Sequence, residues 1–136
     1  MKIGELAKAT DCAVETIRYY ERENLLPEPA RSEGNYRLYT QAHVERLTFI
    51  RHARDLGFPI EAIRELLTLS RHPEEPCERA DYIAREQLDD VREKIARLKK
   101  LEAELARIVS HAECHTVGDC YVIRALSDHA LCEHEH

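Results

Sequence analysis

The sequence predicts a mainly α-helical fold, in which a winged helix-turn-helix unit is followed by a long antiparallel coiled-coil helix and a short C-terminal loop. Three observations support this prediction. Two short helical segments precede a hairpin signature at Gly34-Asn35. Nothing breaks helix over residues 78–109, and an apolar heptad pattern runs from Ala84 to Val109 apart from Glu102. Only 27 residues follow it, which are too few for another domain of ordinary size.

The first two helices have apolar residues spaced for one buried face on each helix. These residues are Ile3, Leu6, Ala7, Val14, Ile17 and Tyr20. Thr10 or Asp11, in the break between the two segments, is expected to cap the second helix. Pro27 and Pro29 then prevent the helix from continuing, because they remove backbone donors. The pattern is typical of a helix-turn-helix.

The next elements complete a winged helix-turn-helix. Gly34-Asn35, flanked by alternating residues, predicts the hairpin of the wing. A third helix is expected from about Thr40 to a C-terminal cap at Gly57. A fourth helix is expected to begin at Pro59, because proline is favoured in a first helical turn.

Residues 78–109 read as one helix with an apolar seam, roughly 46 Å long at 1.5 Å per residue. The seam residues are Ala84, Leu88, Val91, Ile95, Leu98, Leu105 and Val109, with Leu101 supplying the apolar group beside Glu102. Such a helix can pack on its own domain or on a second chain. Four short helices leave little apolar surface to cover it, so the sequence favours a homodimer through an antiparallel pair, although it does not fix the orientation.

Composition and charge restrict the class of protein. With 34% charged residues, no Trp and two Phe, the chain has a modest core that a partner would complete. Residues 1–72 hold equal numbers of basic and acidic residues, so any affinity for DNA must come from clustered arginines. No apolar run approaches the ~18 residues of a membrane span, and there is no signal peptide. We therefore expect a cytoplasmic protein with no membrane partner.

The second helix and the wing carry candidate DNA-binding residues. Between Glu15 and Arg22, arginines and adjacent tyrosines lie on a surface-facing arc that suits base edges and phosphates, and the wing can grip the DNA backbone. The candidates are Thr16, Arg18, Tyr19, Arg31, Asn35, Tyr36, Arg37 and Tyr39.

Cysteines at both ends of the long helix predict a metal site. Cys114, His115 and Cys120 follow the helix, and Cys77 stands directly before it. Thiolate and imidazole are ligands of soft and borderline metals. An antiparallel pair would carry Cys77 to the loop of the partner chain, so that two protomers would share the site.

The remaining cysteines have other interpretations. Five cysteines, an odd number, without a secretory signal favour thiols or ligands over a disulfide framework. Cys12 is expected to pack in the core as a small apolar side chain. The polar tail is either an auxiliary metal site or a solvated segment. Its candidate ligands are His129, Cys132, His134 and His136.

At residues 3–7, 16–21, 35–39 and 49–58 the chain resembles the MerR family of transcriptional regulators, and in particular its cadmium-, lead- and zinc-responsive branch. The resemblance implies a homodimer on a pseudo-palindromic promoter with an overlong spacer. Metal binding would distort the DNA so that RNA polymerase transcribes heavy-metal resistance and efflux genes. The residues that match DNA-contacting positions of the family are Arg18, Tyr19, Arg31, Tyr36 and Arg37.

The resemblance also bears on the metal. Members that sense monovalent ions carry Ser before the dimerisation helix, whereas those that sense divalent ions carry Cys, as Cys77 does here. Cys77 with Cys114 and Cys120 of the partner would give three thiolates, which favour cadmium, lead or mercury. His115, which stands where a zinc-sensing relative has a second adjacent Cys, is a candidate fourth ligand that would favour zinc. The loop cysteines are six apart, closer than in most members.

Four segments are therefore predicted. They are a winged helix-turn-helix DNA-binding domain at 1–72, a dimerisation helix at 77–109, a metal-binding loop with a short helix at 110–127, and a tail at 128–136.

Two other functional classes compete with the metal-sensing regulator. A Cys-dependent enzyme would pair Cys114 with His115 or His111, but no oxyanion device is evident. A redox- or thiol-stress-sensing regulator of the same architecture would need thiols poised to form a disulfide.

Overall fold

The computed structural model describes residues 1–111 and 116–128, and the chain forms two compact units, Met1–Ala84 and Arg85–His136. The elements in chain order are α1 (Ile3–Thr10), α2 (Val14–Arg22), β1 (Ala30–Arg31), β2 (Arg37–Leu38), α3 (Gln41–Asp55), α4 (Ile60–Ser70), α5 (Glu78–Ser110), a 3-10 helix (Val117–Asp119) and α6 (Tyr121–Ser127). The predicted mainly α-helical fold is confirmed. Within the described ranges, no helix is both long and apolar enough to cross a membrane.

The core of the first unit is built from the apolar faces of α1 to α4. Its fully buried members on these helices are Leu6, Ile17, Leu47, Ile50 and Ile63. Cys12 packs against this cluster, as expected for a small apolar side chain. The core therefore fixes α2 against α1 and α3 and gives the exposed face of α2 a firm support.

The predicted cap of α2 is wrong. Asp11 has φ 53° and ends α1 in the left-handed region, where its N–H donates to the carbonyl of Ala7. The Thr10 hydroxyl donates to the carbonyl of Leu6, also within α1, at 2.8 Å. The residue that precedes α2 is Ala13, which has no side chain to cap it. Both polar side chains of the break thus leave α2 uncapped.

The wing is a short antiparallel hairpin in which Ala30 pairs with Leu38 and Arg31 with Arg37. Its turn requires the left-handed region at Asn35, where φ is 64°. The turn is also tight at Gly34, because a Cβ there would approach the ring of Tyr36 to 2.9 Å. The predicted Gly34-Asn35 hairpin is confirmed, and the turn projects exposed side chains away from the core.

Helices α3 and α4 follow the expected boundaries closely. Thr40 caps α3, and the Thr40 N–H donates to Nδ1 of His43 at 3.0 Å. His43 is buried, and its Nε2 donates to the carbonyl of Pro27 at 3.0 Å, which ties α3 to the segment after α2. Gly57, with φ 86°, follows α3 as expected. Pro59 precedes the first residue of α4 rather than occupying its first turn.

Helix α5 is 33 residues long, about 50 Å at 1.5 Å per residue. Most of the predicted seam is exposed in the single chain. Its exposed members are Ala84, Leu88, Ile95, Leu98, Leu105 and Val109. Two isoleucines outside the seam, Ile83 and Ile108, are buried instead. The apolar stripe of α5 is therefore left without cover in the described chain.

Candidate DNA interface and metal centre

An open groove of about 730 Å³ in the first unit is bordered by α2, the predicted recognition helix, and by the wing. The cationic side chains that line it are Lys2, Arg18, Arg22, Arg31 and Arg37. Only two carboxylates, Glu21 and Glu28, line the same groove. The unit thus concentrates positive charge on this side, although residues 1–72 are balanced in charge. Such a groove suits the phosphates of a nucleic acid backbone.

Glu21 connects the recognition helix to the wing. Its carboxylate accepts a hydrogen bond from Nη1 of Arg37 at 2.6 Å, and a second from the hydroxyl of Tyr39. The Glu21 side chain is 15% exposed, so the Arg37 ion pair is partly shielded from water. Burial, and secondly the hydrogen bond to Glu21, raises the pKa of Tyr39 above its ordinary value. The hydroxyl therefore stays protonated at neutral pH and acts as the donor.

Tyr39 is the candidate DNA-binding residue whose position does not fit that role. Its side chain is 2% exposed, packs in the core and donates to Glu21, so it has no surface to offer to DNA. It lies behind the wing rather than on its outer side. Tyr39 follows the last residue of β2, so the alternation of the strand does not apply to it, and its ring packs into the core instead.

The other candidate DNA-binding residues lie at or near the surface. Those that are exposed are Arg18, Tyr19, Arg31, Asn35, Tyr36 and Arg37, and Thr16 is half-buried. Nη1 of Arg31 donates to the carbonyl of Asn35 at 3.3 Å, within the wing. The Arg18 side chain makes no hydrogen bond or ion pair with any residue in the described part of the chain, so its guanidinium is available to a partner.

Two cations that line the groove, Lys2 and Arg22, are not among the candidate DNA-binding residues, although Arg22 ends the predicted surface-facing arc that begins at Glu15. Arg22 stands one helical turn after Arg18, and this spacing could have revealed it, since residues four apart share a helix face. Lys2 lies 5.2 Å from the centre of the Tyr36 ring, an arrangement that no local pattern indicates. Both residues widen the positive surface beyond the predicted set.

Besides Cys12, which packs against the core, the structure describes two thiols, Cys77 and Cys120. Cys77 is exposed directly before the helix, and Cys120 is half-buried directly before α6. Cys114 and His115 lie outside the described residues, as do the tail candidates His129, Cys132, His134 and His136. Within residues 1–111 and 116–128, no three His, Cys, Asp or Glu side chains are grouped to hold a metal. Thiols and an imidazole are nonetheless a donor set that fits a soft or borderline divalent ion.

A polar cluster joins α5 to α6 in the second unit. Nη2 of Arg107 donates to Glu104, which is 2% exposed, at 2.6 Å, and Nη1 donates to the Tyr121 hydroxyl at 2.7 Å. The ring of His111 stacks on that of Tyr121 with 4.4 Å between centres. The hydrogen bond to Glu104, and then that to Tyr121, raises the pKa of Arg107. The expected short helix after the loop is confirmed, and its first residue contacts α5.

Comparison with known families matches almost the whole helical body. The family model described as MerR HTH family regulatory protein matches residues 1–69. A second, described as MerR, DNA binding, matches residues 44–108. The matches thus cover the helix-turn-helix unit and most of α5.

Individual relatives extend the match towards the C-terminus. The HTH-type transcriptional regulator ZntR of Escherichia coli strain K12 is 41% identical over 133 residues, which cover 95% of this chain and 94% of the relative. A crystal structure of the regulator PbrR691 from Ralstonia metallidurans CH34 in complex with lead(II) is 43% identical, with a TM-score of 0.81, over 93% of this chain and 98% of that one. A Bacillus megaterium MB1 regulator, MerR, in complex with mercury(II) is 33% identical, with a TM-score of 0.71, over 94% and 100%. The chain belongs to the MerR family of helix-turn-helix transcriptional regulators.

Proposed function

We propose that this protein is a metal-sensing transcriptional regulator that binds promoter DNA as a homodimer. On binding a divalent ion it would distort the promoter, so that RNA polymerase transcribes heavy-metal resistance genes. The observation that carries the proposal is the position of two thiols, Cys77 directly before α5 and Cys120 directly before α6, whose first residue contacts the end of α5. The relatives add support, because two of the matched structures are complexes with lead(II) and mercury(II).

The exposed seam of α5 supports the homodimer. Ile95 and Leu98 are 46% and 62% exposed, and Leu105 is 61% exposed, on one stripe of a helix that has no cover in the described chain. A contiguous apolar stripe of this length indicates an interface. The same stripe on a second copy is a complementary partner, because heptad seams pack on each other.

The groove beside α2 supports DNA binding. Arg18 and Arg22 would approach the major groove from the recognition helix, while Arg31 and Arg37 would contact phosphates from the wing. Glu21 would act indirectly, because it fixes Arg37 without touching DNA itself. The remaining candidate contacts are Thr16, Tyr19, Asn35 and Tyr36.

The metal site would be shared between subunits. In an antiparallel pair, Cys77 of one protomer would lie beside Cys114 and Cys120 of the other, and His115 is a further candidate ligand. Three thiolates favour cadmium, lead or mercury, and an added imidazole favours zinc. A bound ion supplies bonds that join the two subunits. Cys77, which belongs to the unit containing the recognition helix, would pass this constraint to the DNA-binding groove.

A heterodimer tests the shared site. One chain carries Cys77→Ser and the other carries Cys114→Ser with Cys120→Ser. If the site is shared, all required thiolates remain together at one end, and the heterodimer should bind one equivalent of cadmium with thiolate charge-transfer absorption. The Cys77→Ser homodimer is the control and should bind much more weakly, since a hydroxyl is a poor ligand for soft ions. Loss of the metal site in a verified heterodimer would contradict the shared-site model.

A metal panel with a promoter fusion tests the function as a whole. Cadmium, lead, zinc and mercury should each be compared for induction, with the Cys77→Ser chain as the matched control. Induction that requires Cys77 supports the metal sensor. Induction by oxidants together with absent thiolate charge-transfer absorption would favour the redox-sensing alternative instead.

A further inference from the structure

Arg107 bridges two helices whose connection contains the candidate metal ligands. It lies near the end of α5, and Tyr121 is the first residue of α6. Cys114, His115 and Cys120 are all in the segment between them. The contact between Arg107 and Tyr121, 2.7 Å from Nη1 to the hydroxyl, therefore holds the start of α6, and with it the adjacent Cys120, beside the end of α5.

Glu104 holds Arg107 in the orientation that this contact needs. Its carboxylate accepts from Nη2 at 2.6 Å and from Nε at 3.4 Å, so the guanidinium is held by two of its nitrogens. Glu104 is 2% exposed, and a buried carboxylate is stable only when it is paired. The Arg107 side chain is 18% exposed and has little freedom to leave. Its remaining nitrogen, Nη1, is thereby directed at Tyr121.

His111 brings the other end of the loop into the same cluster. Its ring lies on that of Tyr121 at an interplanar angle of 23°. Its Nδ1 donates to the carbonyl of Arg107 at 2.8 Å, which fixes the plane of the imidazole. His111 directly follows α5 and stands three residues before Cys114, whereas Tyr121 directly follows Cys120. Both flanks of the ligand-bearing segment are thus held at one point.

We infer that Glu104, Arg107, His111 and Tyr121 form a loop clamp that positions Cys120, a candidate metal ligand, before metal arrives. This inference rests on the proposed metal-sensing function. The four residues are positioning residues rather than ligands, because they act on Cys120 through the start of α6. Residues that orient metal ligands typically change metal affinity by about 10–100-fold when they are mutated. Loosening the clamp should accordingly weaken metal binding while the helices remain folded.

Tyr121→Phe isolates the hydrogen bond, since the phenyl ring can still stack on His111. In the full-length dimer, competition between the protein and a chelator for cadmium should show about a tenfold weaker affinity than wild type. Tyr121→Leu removes the stacking as well and should weaken binding further. Tyr20→Phe, the same chemical change at a core position of α2, is the matched control and should bind cadmium as wild type does.

A measurement without metal separates positioning from general destabilisation. Amide hydrogen exchange of residues 120–127 in the metal-free dimer should be faster in Tyr121→Phe, whereas exchange in residues 88–100 and the helical circular dichroism should be unchanged. Wild-type affinity and wild-type exchange in Tyr121→Phe would overturn the loop clamp alone. Failure of the wild-type protein to bind cadmium, lead, zinc or mercury would overturn the proposed function, and the loop clamp's role with it.

Discussion

The exposure of the α5 seam allows the contribution of two of its residues to the free energy of dimerisation to be estimated. Leu88 and Ile95 are each 46% exposed in the single chain. Complete burial of such a side chain stabilises by about 1.5–3 kcal/mol, so covering the exposed part should contribute roughly 1 kcal/mol for each. The dimer contains two copies of both residues, or about 4 kcal/mol in all. Since 1.4 kcal/mol is a factor of ten, this corresponds to a change in Kd on the order of 10³-fold.

The double variant Leu88→Glu and Ile95→Glu should therefore be monomeric at concentrations where wild type is a dimer. Four carboxylates at the interface would add to the loss, because buried unpaired charges are strongly unfavourable. Sedimentation velocity over a concentration series measures the dissociation constant directly. The control carries Ala96→Glu and Ala103→Glu, at exposed positions of the same helix away from the seam, and should remain dimeric. A double seam variant that dimerises as tightly as wild type would refute the assignment of the interface.

Two further predictions concern the DNA-binding unit. Arg18→Ala should weaken promoter binding by about tenfold or more and lower the salt dependence of log K by about one unit if Arg18 binds a phosphate, with cadmium stoichiometry unchanged. Arg97→Ala, an equal loss of charge on α5, should alter binding little, and an unchanged gel shift for Arg18→Ala would contradict the placement of α2. Glu21→Gln should weaken promoter binding through Arg37, and should lower the free energy of unfolding by about 1–3 kcal/mol, because the buried Tyr39 hydroxyl and Arg37 lose a charged acceptor. Chemical denaturation and gel shifts measure the two effects, and a variant that binds DNA like wild type would show that Glu21 does not position the wing.

Helix periodicity predicted the elements well, because apolar spacing is local information. The predictions that failed concern features that depend on contacts between residues distant in sequence. Asp11 looks like a cap for α2, yet its side chain pairs with Arg51 of α3 at 3.1 Å while its backbone ends α1. Ile83 and Ile108 lie off the seam and are buried for reasons that the heptad pattern does not contain.

In the candidate sites, too, local features could be predicted from the sequence, whereas features that depend on distant contacts could not. Exposed Arg18 and Arg31 could be identified from residue type and position, and so could the exposed thiol of Cys77. Tyr39 was misassigned because burial of a residue just after the wing depends on how the wing folds against the core. The pairing of Arg107 with Tyr121 joins residues 14 apart across a loop, a separation with no helical or strand period. Such pairs become visible only when the chain is folded.

Two faces of helix α5 differ in their contacts. The seam that includes Ile95 and Leu105 faces one way, whereas Arg107 lies outside the seam, where it donates to both Glu104 and Tyr121. Successive residues of an α-helix are turned by about 100°, and one heptad of slippage moves a helix by roughly 10.5 Å along its axis. In the proposed antiparallel pair, the register would therefore also set the height and the angular position of α6 relative to the partner chain. A change of register at the seam would move Cys120 around or along the helix axis, away from Cys77 of the partner, so precise pairing of the two copies would itself be a condition for assembling the proposed shared metal centre.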